Sequence, residues 1–292
     1  MSGVSFRQVD VFTTVPFRGN PVAVVMDAQT LSGDQMQAIA AWTNLSETTF
    51  VLPAEDSRAD YRVRIFTPGR ELPFAGHPTI GTAHALLEAG MISAEGGRII
   101  QECGAGLVTL AVSEENSDAR IIAFELPEPS ITNLNNEQVT CLEDALGCQL
   151  DRTLTPALVD VGARWIVARV ASVETVLQAQ PHYGRLAEHD SKMNVTGVCL
   201  YAEYGDCSGM NIEVRSFAPS CGVSEDPVCG SGNGSVAAFM RHHQVALPAG
   251  GRIHSSQGRV LGRNGKIQLT TENGKILVGG SAVTCISGTV SC

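Results

Sequence analysis

An acidic side chain, Glu47, stands within residues 44–50 (NLSETTF), between a predicted helix and an apolar strand. A carboxylate at such a junction is placed to point into a pocket. Burial would raise its pKa toward the working pH, which suits a group that takes a proton from carbon and returns it. On this motif alone the alternative, an ordinary surface glutamate, stays open.

A second group of candidate residues is the segment 73–78 (PFAGHP), which contains His77. Pro78 suits a first helical turn, and Gly76 lets the backbone approach a ligand closely. The N–H groups at the start of a helix can bind an anion. The alternative is an ordinary turn with a solvated His77.

A third group lies in residues 226–235 (DPVCGSGNGS), which also open a predicted helix. The string is not a dinucleotide fingerprint, because Ser235 occupies the third glycine position and no βαβ pattern surrounds it. Cys229 is either a thiolate activated by the helix N-terminus or a small buried filler. We expect this helix start, like the first, to hold a carboxylate group.

The second and third groups belong to an internal repeat with an offset of about 154 positions. The paired segments are 64–68 (RIFTP) with 215–219 (RSFAP), 72–79 with 226–233, and 101–104 with 255–258. A repeat of this length indicates a duplicated domain. We therefore expect two halves, with the chemistry in a cleft between them.

Local patterns predict the elements that position these residues. A capping box of Ser32 and Gln35 starts a helix that runs to about Thr43. Helices over residues 79–89 and 233–243 are apolar nearly all round, so we expect them to be buried. We expect surface helices at residues 137–146 and 173–187. Expected strands are 4–12, 22–26, 47–52, 61–66, 98–103, 106–112, 120–126, 252–256, 266–271 and 275–278.

Composition and length set the class of protein. The 292 residues suggest two domains, which we place at 1–118 and 119–292, with the last strand free to return to the first domain. The net charge of −10 argues against nucleic-acid binding, and no apolar run spans a membrane. The nine scattered cysteines indicate reduced thiols in the cytoplasm, and no metal-ligand spacing is present.

Taken together, the motifs resemble the phenazine-biosynthesis (PhzF-like) isomerase family, within the diaminopimelate epimerase fold. The matching segments are 17–21 (FRGNP), 44–50 (NLSETTF), 71–79 (ELPFAGHPT) and 226–231 (DPVCGS). The resemblance implies an α+β fold of two pseudo-symmetric lobes, each a β-barrel wrapped around a central helix.

The resemblance also implies roles for residues of both halves. Catalytic residues would be Glu47 as the acid and base, with His77, Asp226 and Ser231 as its substrate-facing partners. Substrate-binding residues would be Ser46, Gly76, Gly230 and Cys229. We expect a cofactor-independent isomerase that moves a proton on a small carboxylate-bearing metabolite, without a metal, as a homodimer.

One departure concerns the thiols of the wider fold. Its racemases and epimerases use two cysteines, each just before the glycine that opens a central helix, and these positions are Ala75 and Cys229 here. One thiol cannot provide two bases, and many PhzF-like chains carry threonine at the position of Cys229. The alternatives are an amino-acid racemase, epimerase or dehydratase using Cys229, and a non-catalytic small-molecule binding protein.

Overall fold

The computed structural model describes residues 3–115, 119–205, 209–248 and 250–291. The chain forms two compact units, Met1–Glu125 with Gly279–Cys292, and Leu126–Val278. The boundary expected at 118/119 adjoins residues 116–118, which lie outside the described residues, and it stays a prediction.

The first unit is a mixed sheet with two helices. Its elements up to residue 125 are β1 (Gly3–Val11), β2 (Asn20–Val25), α1 (Gly33–Thr43), β3 (Thr48–Leu52), β4 (Tyr61–Phe66), β5 (Glu71–Leu72), α2 (Gly76–Glu88), β6 (Arg98–Cys103), β7 (Gly106–Glu115) and β8 (Ala119–Glu125). Strands β2 and β3 are parallel, as are β4 and β6, and the other neighbours in the order β1-β2-β3-β4-β6-β7-β8 are antiparallel.

The second unit has the same kind of architecture. Its elements are β9 (Ser130–Asn133), α3 (Asn136–Leu146), β10 (Ala157–Asp160), β11 (Arg164–Arg169), α4 (Val173–Gln178), α5 (Tyr183–Met193), β12 (Gly197–Glu203), β13 (Ile212–Ala218), β14 (Val223–Asp226), α6 (Gly230–His242), β15 (Arg252–Gln257), β16 (Gly265–Glu272) and β17 (Lys275–Gly280). Strands β11 and β12 are parallel, as are β13 and β15.

The last strand, β18 (Ala282–Ser291), belongs to the first unit. It pairs with β1 in antiparallel register from Gly3 opposite Ser291 to Val11 opposite Ala282. The first unit therefore contains both the first and the last described strands.

Each sheet wraps around one buried helix, as the sequence predicted. Helix α2 packs against β1, β2, β3, β8 and β18, and α6 packs against β10, β11, β12 and β16. The approach is close at Gly81, where a Cβ would lie 2.4 Å from a methyl carbon of Val22. Helices α2 and α6 begin at Gly76 and Gly230, earlier than the predicted residues 79 and 233.

The duplication repeats individual contacts as well as elements. Arg64 donates two hydrogen bonds to the two carboxylate oxygens of Glu71, each at 2.7 Å. Its equivalent, Arg215, donates to both oxygens of Glu225 at 2.9 and 2.8 Å. The same bidentate pair thus joins β4 to β5 in one unit and β13 to β14 in the other.

A second repeated contact ties each central helix to a strand. In the first unit Gln101 donates to the hydroxyl of Thr79 at 3.0 Å. In the second, the hydroxyl of Ser255 donates to the side-chain oxygen of Asn233. The residues on both sides of this contact are repeat partners, so the two copies preserve the anchoring of the helix start.

The prediction of one surface helix over residues 173–187 is wrong. The segment forms two helices, α4 and α5, separated by a break that contains Pro181. Proline lacks the N–H that a helix needs and disfavours the helical conformation of the residue before it. Val173 and Val176 of α4 are buried, so this helix contributes to the core.

Candidate active site

The position of Glu47 is fixed by the elements on either side of it. Helix α1 ends at Thr43 and is capped by Asn44, whose φ of 54° is left-handed and whose N–H donates to the carbonyl of Ala40 at 3.3 Å. Strand β3 begins at Thr48, and the carbonyl of Glu47 accepts from the N–H of Ala23 at 3.4 Å. The backbone on both sides of the short turn is therefore fixed by hydrogen bonds.

Glu47 is largely buried, with 16% of its side chain exposed. Burial raises the pKa of its carboxyl to about 7, although a hydrogen bond with the side chain of Ser46 lowers it in part. The structure does not show the ordinary surface glutamate that the sequence left open. Near neutral pH the carboxyl populates both its protonated and its ionised form, as a proton shuttle requires.

His77 is the second residue of α2, and its side chain is only 7% exposed. Its Nε2 lies 3.4 Å from Oε2 of Glu47. The solvated-turn alternative for His77 is thus not what the structure shows. At the helix start Gly76 is required by space, because a Cβ there would lie 2.6 Å from the ring of Phe124.

In the second unit, Asp226 closes β14 and organises the turn that leads to α6. Its carboxylate accepts from the N–H of Val228 at 3.0 Å, and its carbonyl accepts from the side-chain amide of Gln257 at 2.9 Å. Gln257 also accepts from the N–H of Cys229 at 3.1 Å. The start of the helix is consequently held by both its own chain and a neighbouring strand.

Cys229 is the N-cap of α6, and its sulfur accepts from the N–H of Gly232 at 3.3 Å. Burial, followed by the charge of Asp226, raises the pKa of the thiol well above its ordinary value. This direction is opposite to the one that an activated thiolate would need, and the role of Cys229 at the site stays a prediction. Desolvation by burial is the largest cause, since Cys229 is only 5% exposed.

Ser231 is the second residue of α6 and is half-buried. Its Oγ accepts a hydrogen bond from the indole Nε1 of Trp165 at 3.0 Å and lies 3.6 Å from the sulfur of Cys229. Sequence reasoning missed Trp165, because it is 66 positions away in β11 and belongs to no motif. Its only signal is that it is one of two tryptophans in a chain poor in aromatic residues.

The duplication relates the two helix starts residue by residue. Ala75 corresponds to Cys229, Gly76 to Gly230, and His77 to Ser231. Both N-caps precede a glycine that is the first helical residue.

The repeat equivalent of Glu47 is Gly197. Each residue lies three positions after a left-handed asparagine, Asn44 or Asn194. Glu47 immediately precedes the parallel strand β3, and Gly197 is the first residue of the parallel strand β12. A Cβ at Gly197 would lie 1.9 Å from the carbonyl oxygen of Phe217, so no side chain fits there. The carboxylate is present in one copy of the repeat alone.

The predicted site residues thus form two sets, one in each unit. Residues Ser46, Glu47, Gly76 and His77 belong to the first unit, and Asp226, Cys229, Gly230 and Ser231 belong to the second. That both sets serve one substrate stays a prediction.

Neither a metal-binding group of side chains nor a membrane-spanning helix occurs in the described part of the chain. Within residues 3–115, 119–205, 209–248 and 250–291, no group of three or more His, Cys, Asp or Glu side chains is placed to hold a metal ion. Across the same residues, no helix is both long and apolar enough to cross a membrane.

Known proteins share this chain's sequence and fold. A family model described as phenazine biosynthesis-like protein, PhzC-PhzF, matches residues 9–288. Antisense-enhancing sequence 1 of Schizosaccharomyces pombe is 42% identical, over 99% of each chain. The trans-2,3-dihydro-3-hydroxyanthranilate isomerase of Pseudomonas aeruginosa is 34% identical, over 90% of this chain and 89% of that one.

Solved structures extend the likeness to the fold. A PhzF-family protein of Bacillus anthracis superposes with a TM-score of 0.89 at 24% identity, over 100% of both chains. A probable proline racemase of Agrobacterium radiobacter gives a TM-score of 0.68 at 13% identity, over 99% of this chain and 93% of that one. The predicted α+β, diaminopimelate epimerase-like fold is confirmed.

Proposed function

This chain belongs to the phenazine biosynthesis-like PhzC-PhzF family and is an isomerase of it, and from that premise we propose cofactor-independent proton transfer with Glu47 as acid and base. The proposed substrate is a small, conjugated metabolite that bears a carboxylate. One observation carries the proposal: a buried carboxyl whose pKa is raised to about 7 lies beside His77.

The reaction needs a single shuttling proton. Ionised Glu47 takes a proton from a substrate carbon, so a C–H bond breaks, an O–H bond forms, and the electron pair enters the conjugated system. The O–H of the protonated carboxyl exchanges with solvent water, and the carboxyl then returns a proton to another carbon of the system. Substrate and product differ only in the position of one hydrogen and of the double bonds, so no oxidant or cofactor is consumed.

The remaining residues bind and orient in this proposal. His77 and Asp226 orient an amine or hydroxyl of the substrate, while Ser46, Cys229 and Ser231 contact it as neutral groups. The N–H groups at Gly76 and Gly230 open α2 and α6, where helix dipoles favour negative charge. These donors would stabilise the charge that develops as the proton leaves carbon.

The first substrate to test is the one in the name of the P. aeruginosa relative, trans-2,3-dihydro-3-hydroxyanthranilate. It carries an amine, a hydroxyl and a carboxylate on a conjugated ring, which are the groups that the proposed residues would hold. Turnover in D₂O should place deuterium on a product carbon, which mass spectrometry would detect. No incorporation by the native chain would contradict the proposal, as expected of a protein that only binds.

The alternative mechanism, through the thiol of Cys229, needs a different ionised group. A racemase, epimerase or dehydratase acting through Cys229 needs a thiolate, whereas burial raises the pKa of this thiol and its repeat partner is Ala75. Glu47→Gln should abolish deuterium incorporation, and Glu95→Gln, which alters an exposed glutamate of the same unit, should not. Incorporation that survives Glu47→Gln but not Cys229→Thr would favour the thiol mechanism.

A further inference from the structure

We propose that Trp165 is a positioning residue, which holds Ser231 as a hydrogen-bond donor toward the carboxylate of the substrate. This inference rests on the proposed function for the identity of the ligand. In this proposal the second unit has a neutral hydrogen-bonded pair, Trp165 and Ser231, at the place where the first unit has the acid–base pair of His77 and Glu47.

The direction of the hydrogen bond follows from the chemistry of the two groups. An indole N–H can only donate, so at 3.0 Å the oxygen of Ser231 must be the acceptor. A serine hydroxyl has one hydrogen, and that hydrogen must then point away from Trp165. Trp165 therefore removes the orientations in which Ser231 would point its hydrogen at the indole.

A weak acceptor lies near the hydroxyl hydrogen. The sulfur of Cys229 lies 3.6 Å from the oxygen of Ser231 and already accepts from the N–H of Gly232. Sulfur is a weak acceptor, whereas hydrogen bonds to an ionised oxygen are about twice as strong as neutral ones. A carboxylate arriving at the start of α6 would take this hydrogen in preference to the thiol.

Burial and strand pairing fix the position of Trp165 in β11. It is 3% exposed, and in the parallel register of β11 and β12 it lies opposite Gly197, the residue where no side chain fits. A buried indole N–H without an acceptor would destabilise the fold. Ser231 supplies that acceptor, so each residue fixes the other.

The repeat shows what this pair replaces. In the first unit the second residue of the helix, His77, faces the carboxylate of Glu47 at 3.4 Å. In the second unit the equivalent residue, Ser231, faces an indole from the strand next to the empty Gly197 position. The first pair can exchange a proton, and the second can only donate a hydrogen bond. The second pair suits a carboxylate at the start of α6, and the proposed function assigns the proton transfer to Glu47.

The kinetic test uses Trp165→Phe, which keeps an aromatic ring and removes the N–H. The other tryptophan, Trp42, is 87% exposed, so Trp42→Phe is the matched control. With trans-2,3-dihydro-3-hydroxyanthranilate, Trp165→Phe should raise KM about five- to tenfold and leave kcat within about twofold, because binding is lost equally in ground and transition states. An unchanged KM, or a fall in kcat alone, would overturn the assignment.

A spectroscopic test needs no turnover. In Trp42→Phe protein the one remaining indole N–H signal in a ¹⁵N-correlated NMR spectrum belongs to Trp165. Anthranilate should shift this signal, whereas anthranilamide, of the same shape without the charge, should shift it much less. Ser231→Ala should remove the difference between the two ligands. Equal shifts from both ligands, or no shift from either, would overturn the inference, even if Trp165→Phe proved unstable.

The two proposals fail separately. Deuterium incorporation that survives Glu47→Gln would sink the proposed acid–base role and leave the indole result intact, because that result depends on binding alone. If the Trp165 signal did not respond to the carboxylate while turnover still required Glu47, the role of Trp165 would be refuted and the proposed function would stand.

Discussion

Glu47 is held in the folded chain with a pKa of about 7, above its ordinary value of 4.5. The folded state therefore binds this proton more tightly than the unfolded state does. The resulting stability is fully present below about pH 4.5 and is lost as the pH rises through about 7. At the pH where Glu47 is ionised and ready to act as a base, it destabilises the fold.

Replacing Glu47 by glutamine should remove this penalty. We expect Glu47→Gln to raise the free energy of unfolding by up to about 3 kcal/mol near pH 8 and by little near pH 4.5, since one pKa unit corresponds to 1.36 kcal/mol. Urea denaturation at both pH values measures the difference. Glu95→Gln is the exposed control, and an equal gain at both pH values for Glu47→Gln would contradict the assignment.

The same titration should appear in the rate. Proton abstraction needs the ionised carboxyl, so kcat/KM should rise with pH and level off above about 7. Glu47→Gln should lower turnover by at least about 100-fold, and His77→Ala and Asp226→Ala should each lower it less, because they orient the substrate. Steady-state kinetics across pH test this, and a silent His77 or Asp226 variant would refute its orienting role.

Cys229 should be dispensable for chemistry. Its buried thiol stays protonated at neutral pH, so Cys229→Thr should keep most of the activity. Iodoacetamide near pH 8 should label the exposed Cys141 and Cys221 while leaving Cys229 unlabelled, as peptide mass spectrometry would show. A loss of several orders of magnitude in Cys229→Thr, with Glu47→Gln mild, would restore the thiol mechanism.

At the scale of elements, the duplication supplies an internal comparison of one ion pair in two environments. The side chains of Arg215 and Glu225 are each 4% exposed, whereas those of Arg64 and Glu71 are 30% and 42% exposed. Arg215 also donates to two carbonyls of the α4 segment. Removing one partner leaves an unpaired buried charge in the second unit, whereas in the first unit the remaining charge is exposed to solvent.

We therefore expect unequal costs from the same substitution. Arg215→Met should destabilise the chain by about 3–5 kcal/mol, the range for breaking a buried pair. Arg64→Met should cost no more than about 1 kcal/mol. Denaturant unfolding of the two variants measures the contrast, with the double variants that also replace Glu71 or Glu225 as controls. Similar costs at both positions would show that burial does not set the strength of this pair.

Elements with local signals could be predicted from the sequence. The Ser32–Gln35 capping box placed α1 within a residue, and the apolar runs identified α2 and α6 as buried. The break at Pro181 was missed because the apolar pattern continues across it. Glu47 and His77 stand out by type and context, whereas Trp165 and Gly197 acquire meaning only from a strand register that joins distant parts of the chain.

At the scale of the whole molecule, the absence of metal-ligand spacing in the sequence predicts metal-independent turnover. We expect activity to survive dialysis against EDTA, with no gain on adding Mg²⁺ or Zn²⁺. Activity before and after chelation, alongside elemental analysis of the purified protein, tests this. A stoichiometric metal whose removal stops turnover would refute the prediction.

The pairing of β18 with β1 imposes an order of events on a ribosome. The residues of the second unit, 126–278, are contiguous and leave the exit tunnel before β18 does. Strand β1 is made before the second unit, yet one of its edges stays without its partner until residues 282–291 have been synthesised. Folding of the first unit should thus finish only after β18 has been made, and until then this unit, with an open strand edge, is the species that most needs a chaperone.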